Sequence, residues 1–156
     1  MTSASQTEAA PSCPFCQIGV DPARAVVLYE DPDVVAFLDR AAIRPGHAQI
    51  IAREHVPTFE VLSPQLLLKI ATLGQQLARR MKAVYQVERV AFLFTGGDVA
   101  HVHAHVVPMH EKTDITSARY IVSPDNLAWG SAYLQMDRAA LIAVRDQLAF
   151  GASALR

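Results

Sequence analysis

Residues 101–107 read His101-Val102-His103-Ala104-His105-Val106-Val107, a regular alternation of imidazoles with small apolar side chains. Successive side chains on a β-strand point to opposite faces, so this period of two predicts a strand with three histidines on one face. Val102, Ala104 and Val106 would then face a core. The strand is expected to run from Val99 to Pro108. Upstream, Val90 to Thr95 is another β-rich run, and Gly96-Gly97 supplies the turn between the two. Before that, Ser63-Pro64 is an N-cap followed by proline at the first helical position. Apolar residues then recur at Leu66, Ile70, Leu73, Leu77, Met81 and Val84, in steps of three and four, which predicts an amphipathic helix of about five or six turns. Further back, Val26 to Glu30 and Val34 to Leu38 flank Asp31-Pro32-Asp33 as a hairpin, and Pro45-Gly46 precedes a third strand, His47 to Ala52. Downstream, Asp137 caps a second helix carrying Leu141, Val144 and Leu148. One long helix between the third and fourth strands of a hairpin-connected set predicts an α+β fold, a five-stranded antiparallel sheet covered on one face.

A length of 156 residues fits one domain. With 51% hydrophobic and 19% charged residues the chain has enough apolar surface for a core, which excludes a disordered polymer. Fourteen Lys+Arg against fifteen Asp+Glu leave a net charge of −1, so there is no cationic field to bind a polynucleotide. No apolar run approaches the ~18 residues of a membrane span. The first twelve residues, MTSASQTEAAPS, contain neither Lys nor Arg nor an apolar stretch. They are expected to be a disordered tail rather than a signal peptide, which leaves residues 13–156 as a single domain and the protein as cytoplasmic. A glycine-rich phosphate loop is lacking, which argues against a kinase or a P-loop ATPase.

Imidazole can attack phosphorus, donate to a phosphate oxygen or hold zinc, depending on which nitrogen carries a proton. Strand neighbours two apart lie ~6.5 to 7 Å from each other, a spacing suited to gripping one phosphoryl centre from two sides. A stepwise transfer would follow, in which one histidine forms a phosphoramidate and water releases it. A metal site and a plain polar surface are the competing readings. Cys13 and Cys16 form a Cys-x-x-Cys pair that can be a redox couple, a zinc half-site or two buried thiols. Thioredoxin-like chemistry wants such a pair at a helix N-terminus after a strand, whereas these residues follow the tail. His110, among Glu111, Lys112 and Asp114, reads as a solvated surface residue.

The string HVHAHVV with Pro108, together with CPFCQI at 13–18, YEDPDVVAFLD at 29–39 and PGHAQIIAREHV at 45–56, resembles the histidine triad (HIT) family. The resemblance implies a small nucleotide hydrolase or transferase, a homodimer with a sheet continued across the two chains, and a small-molecule nucleotide as partner. It implies cleavage at the α-phosphate of a nucleoside phosphoramidate or dinucleoside polyphosphate through a nucleotidyl-histidine intermediate. By the same resemblance His103 is the nucleophile, His105 donates to the α-phosphate, and His47 supports them from an adjacent strand. Phe37 becomes an aromatic wall for the base and Asp39 the acceptor for ribose hydroxyls, with Phe15 and Ile18 completing the apolar wall. On their own, Phe37 reads equally as core, Asp39 as a strand-ending turn residue and His47 as a satisfied buried ring. A branch of the family binds structural Zn2+, a set matched here by Cys13, Cys16, His55 and His101. Where family members carry an Asn, a longer loop and a neutral Gly-Gln-Ser/Thr before the triad, this chain has Thr95-Gly96-Gly97-Asp98-Val99-Ala100. An ionised Asp98 beside a phosphate repels it unless protonated or bridged by a cation such as Mg2+. The alternative function is therefore a zinc-stabilised nucleotide-binding protein with little or no turnover.

Overall fold

The computed structural model describes residues 13–96, 98–116, 121–123, 128–129 and 133–149. The expected tail over 1–12 and Gly97 of the expected turn lie outside them. The elements are α1 (Pro14–Val20), β1 (Val27–Glu30), β2 (Val34–Leu38), β3 (Ala41–Ala42), β4 (Ala48–Ala52), α2 (Pro64–Tyr85), β5 (Arg89–Thr95), β6 (His103–Met109), β7 (Ile121–Ser123), β8 (Ala128–Trp129), β9 (Leu134–Gln135) and α3 (Arg138–Leu148). The main sheet has five antiparallel strands in the order β1-β2-β4-β6-β5, and β3-β9 and β7-β8 form two small ribbons. No helix among the described residues is long and apolar enough to cross a membrane.

The β1-β2 turn is tied by the Asp31 carboxylate, which accepts from the backbone of Asp33 at 2.8 Å and Val34 at 3.0 Å and pairs with Lys69 at 2.9 Å. Ser63 caps α2 through its Oγ, 3.2 Å from the Leu66 nitrogen, and Gln86 ends the helix in the left-handed region at φ 53°. The helix buries Leu66, Ile70, Leu73, Leu77 and Met81 as the spacing predicts. These side chains meet Ala36, Ala48, Ile50, Val102, Ala104 and Val106 from the sheet and Leu141, Val144 and Leu148 from α3. Each fully buried aliphatic side chain stabilises the fold by about 1.5–3 kcal/mol. Gly74 lets the Phe92 ring lie against the helix, since a Cβ there would stand 2.4 Å from a ring carbon.

Two features differ from the sequence expectation. The histidine strand begins at His103, not Val99, so His101 sits in the segment just before it; there the backbone N–H of His101 bonds the Val99 carbonyl and that of Val102 the Val56 carbonyl. The alternation survives this break, because Val102 still enters the core with Ala104 and Val106. The Cys-x-x-Cys segment opens a helix: Cys13 is the N-cap of α1, its Sγ 3.4 Å from the Cys16 nitrogen, and Pro14 starts the helix. No strand precedes it among the described residues.

Candidate functional site

The face of the sheet opposite α2 carries the chemistry. Register aligns Phe37 of β2, Gln49 of β4 and His105 of β6 as direct neighbours in one row, and Ile51, His103 and Thr95 in the next. Over these rows α1 lays Phe15, whose ring lies 6.0 Å from Phe37 and 4.9 Å from His103.

Tautomers follow from the fixed partners. The His101 carbonyl can only accept, so His103 Nδ1, 2.7 Å away, carries the proton and Nε2 is the lone-pair nitrogen. The Ile43 N–H donates to His47 Nδ1 at 3.2 Å, which puts the proton of the neutral ring on Nε2, and that nitrogen donates to His105 Nδ1 at 2.8 Å. His105 then carries its proton on Nε2 and donates to Thr95 Oγ1 at 2.9 Å, while the Thr95 hydroxyl donates to His103 Nε2 at 3.2 Å. One directed chain therefore runs Ile43, His47, His105, Thr95, His103, His101. Burial pushes His105 down to about 4, with His47 and His103 adding to the effect. Burial lowers His47 too, against the pull of Asp39, 3.7 Å away. Both rings are neutral at pH 7, as the chain requires.

Two connected hollows open along these rows. One, of about 560 Å³, is lined by Phe15, Ile18, Phe37, Asp39 and Gln49 with Met136 and Leu141. The other, of about 470 Å³, is lined by Phe15, Asp39, His47, Gln49, Thr95, Asp98, His103 and His105. Phe15, Asp39 and Gln49 belong to both and form the waist between them. All the nucleotide-site residues expected from sequence thus line one groove. Asp39 is also a turn residue, accepting from Ala41 N at 2.8 Å, and its other oxygen accepts from Gln49 Nε2 at 2.6 Å. Asp98 stands exposed at the histidine end and joins none of the clusters of metal-ligand side chains among the described residues, so nothing there gathers a magnesium site.

Cys13, Cys16, His55 and His101 come together behind α1. His101 Nδ1 lies 3.4 Å from each thiol sulfur and His55 Nδ1 3.3 Å from Cys16 Sγ. Zinc–sulfur and zinc–nitrogen bonds of ordinary length set neighbouring S and N ligands about 3.5 Å apart around a tetrahedron, so the donor set fits that metal. His101 Nε2 donates to the Ala52 carbonyl at 2.8 Å, which turns the Nδ1 lone pair toward the sulfurs, the second-sphere bond a metal-binding imidazole commonly makes. Asp39, His47 and His105 also gather, but the 2.8 Å between the two ring nitrogens is a hydrogen bond, shorter than the spacing of two ligands on one ion.

The sequence reading missed Thr95, Gln49 and a supporting pair, Arg44 and Asp114. Arg44 Nε and Nη2 reach the fully buried Asp114 carboxylate at 2.8–3.0 Å, and the backbone of His110 and Glu111 donates to it as well. Burial alone would raise the Asp114 pKa; Arg44 and the two N–H groups hold it below the usual range. This clamp fixes the loop that carries Ile43 and His47. His110 itself is exposed, as expected.

Residues 21–112 match the HIT domain. A HIT-like protein of Mycobacterium tuberculosis is 29% identical over 140 residues, covering 82% of this chain and 97% of that one. A bifunctional adenosine 5′-phosphosulfate phosphorylase/adenylylsulfatase of Arabidopsis thaliana is 30% identical over 105 residues, 62% of this chain and 71% of its own. Among solved structures, a Zn-bound histidine triad family protein from Mycobacterium smegmatis superposes with a TM-score of 0.61 at 25% identity, covering 88% of this chain and 95% of that one. With the triad, the five-stranded sheet and a Cys-x-x-Cys/His cluster that fits the zinc-binding branch, the chain belongs to the HIT family.

Proposed function

We propose that this protein is a nucleotide hydrolase or transferase that cleaves at the α-phosphorus of a nucleoside phosphoramidate or dinucleoside polyphosphate. The observation that carries the reading is the His103 Nε2 lone pair, placed by a proton-ordered chain in the lining of a groove, with the displaceable Thr95 hydroxyl on it and an apolar slot beside it. The base lies against Phe37, Phe15 and Ile18, the sugar at Asp39 and the α-phosphate at the histidines. Once substrate displaces the Thr95 hydroxyl from it, His103 Nε2 attacks phosphorus; the N–P bond forms as the bond to the leaving group breaks, and the leaving group departs with that electron pair and takes a proton from solvent water. His105 Nε2–H turns from Thr95 to a non-bridging oxygen, and the His47 Nε2–H behind it sustains the donation as charge develops. Water then attacks phosphorus and gives up a proton to solvent, the N–P bond breaks with its electron pair returning to nitrogen, and His103 recovers its lone pair.

Cys13, Cys16, His55 and His101 would hold a structural Zn2+, a reading supported by the Zn-bound mycobacterial relative. Bound there, the metal supplies cross-linking of α1 to the sheet and takes no part in the chemistry. Residues 13–156 act in this reading as one domain, since the groove draws on α1, β2, β4 and β6. A homodimer is part of the proposal. Among the described residues strand β5 is one of the two edges of the sheet, and Phe92 is 40% exposed on it while Leu68 is 67% exposed on the adjacent helix. An unpaired edge with apolar cover favours two-fold pairing. Sedimentation should give a dimer at micromolar concentration; a monomer would remove this part.

Binding without turnover is the second reading, favoured by the Asp98 carboxylate at the mouth of the histidine hollow. Incubation with adenylyl and guanylyl phosphoramidates, dinucleoside polyphosphates and adenosine 5′-phosphosulfate, read by product chromatography, separates the two. Release of a nucleoside monophosphate supports the enzyme, and tight binding with no product across the panel supports the binding protein.

A further inference from the structure

Gln49 is an unusual residue for its position. It lies in the middle strand of a row whose neighbours are Phe37 on one side and His105 on the other, each one strand spacing of ~4.8 Å away. It is 8% exposed. The ionised Asp39 carboxylate can only accept, so the amide nitrogen must face it, and does so at 2.6 Å. That fixes the direction of Oε1, which is buried and has no hydrogen-bond partner among the described residues. A buried acceptor left unmade is costly, so such groups ordinarily have a partner, and in a binding groove the ligand can be that partner.

We infer that Gln49 is a second sugar-recognition residue, its Oε1 accepting one hydroxyl of the nucleotide's vicinal diol while Asp39 accepts the other. The inference rests on the nucleotide reading above and deepens it. Gln49 lines both the apolar hollow and the histidine hollow, so with a base in the first and a phosphate in the second, the part of the ligand at the waist is the sugar. The donors a ribose offers there are its 2′ and 3′ hydroxyls. The Asp39 oxygen that takes the Gln49 N–H has a second lone pair, so the amide and a sugar hydroxyl can share it. The Gln49 bond also stops the carboxylate turning away from the groove. A deoxy sugar would leave one of the two acceptors buried and unpaired, and a site built on hydroxyl acceptance rejects such ligands strongly.

The test is calorimetric titration of the zinc-loaded full chain with adenosine and guanosine 5′-monophosphates and their 2′-deoxy and 3′-deoxy forms. Wild-type protein should bind the ribonucleotide at least tenfold more tightly than one of the deoxy forms. Gln49→Leu should lose at least tenfold affinity for the ribonucleotide and almost none for that deoxy form. Equal binding of all sugars by wild type, or an equal loss for all sugars in the variant, would overturn the assignment. Should the variant not fold, the side-chain carbonyl carbon of Gln49 in labelled wild-type protein reads the same bond: its resonance should move with the ribonucleotide and not with the deoxy form, and no such difference would overturn it. Failure of wild type to bind any of the nucleotides would instead remove the parent reading.

Discussion

The main-chain carbonyl of His101 accepts the Nδ1–H of His103 at 2.7 Å, while the His101 ring faces both thiols at 3.4 Å. One residue thus belongs to the candidate zinc cluster through its ring and sets the tautomer of the candidate nucleophile through its backbone. Protein purified without chelator should hold about one zinc per chain. Stripping the metal should lower Tm by more than about 5 °C and reduce kcat more than KM rises, because the carbonyl that orients His103 loosens with it. Metal analysis, thermal unfolding and kinetics on the same samples check this. Protein without zinc, with both thiols reactive, would return the pair to the redox or buried-thiol readings.

His103→Asn should leave folding and nucleotide affinity nearly unchanged and remove most turnover, because the lone pair of an amide nitrogen is delocalised into its carbonyl and does not form the N–P bond. A kcat near that of wild type on the best substrate would sink the covalent route.

Thr95 joins His103 to His105, so on the proposed mechanism Thr95→Val should lower kcat about tenfold with a small change in KM, a barrier increase of ~1.4 kcal/mol. Thr95→Ser keeps the hydroxyl and should restore most of the rate. A merely structural role would instead change Tm and leave that split absent.

Acid should destabilise the fold through His47 and His105. Both are held below their ordinary value of 6.5, His105 at about 4, so below pH 6.5 the unfolded chain binds protons that the folded one refuses. This part of the stability is complete above pH 6.5 and is lost as pH falls through about 4. Urea midpoints at pH 7, 5.5 and 4 should fall for wild type more steeply than for a His47→Gln, His105→Gln double variant. Parallel slopes would place the acid sensitivity in other groups.

Asp98→Ser replaces an anion at the histidine hollow with a neutral donor, and should raise kcat/KM about tenfold for anionic leaving groups and little for neutral ones. Unchanged kinetics on both would remove Asp98 from the site.

Much of this arrangement is written locally. The period-two string at 101–107 separates Val102, Ala104 and Val106 from His103 and His105, and steps of three and four from Leu66 to Met81 define α2. Helix α1 escaped because seven residues are too short to display a 3.6-residue period, and its cap is a thiol rather than a hydroxyl or carboxamide. Asp114 resembled one more charge in a polar stretch, since its partner Arg44 lies 70 residues away. Nothing local marks Gln49, one polar residue within Ala48–Ala52, because its place between Phe37 and His105 depends on the neighbouring strands. Contacts that depend on strand order are invisible to periodicity, whereas the faces of single elements are not.

The central claim, a nucleotidyl-His103 intermediate, is tested most directly by stereochemistry at phosphorus. A nucleoside phosphoramidate made chiral at the α-phosphorus with sulfur and isotopic oxygen is incubated with the protein, and the configuration of the product is determined. Two in-line displacements, onto His103 and then onto water, predict net retention. Net inversion would mean a single direct attack by water and would contradict the account.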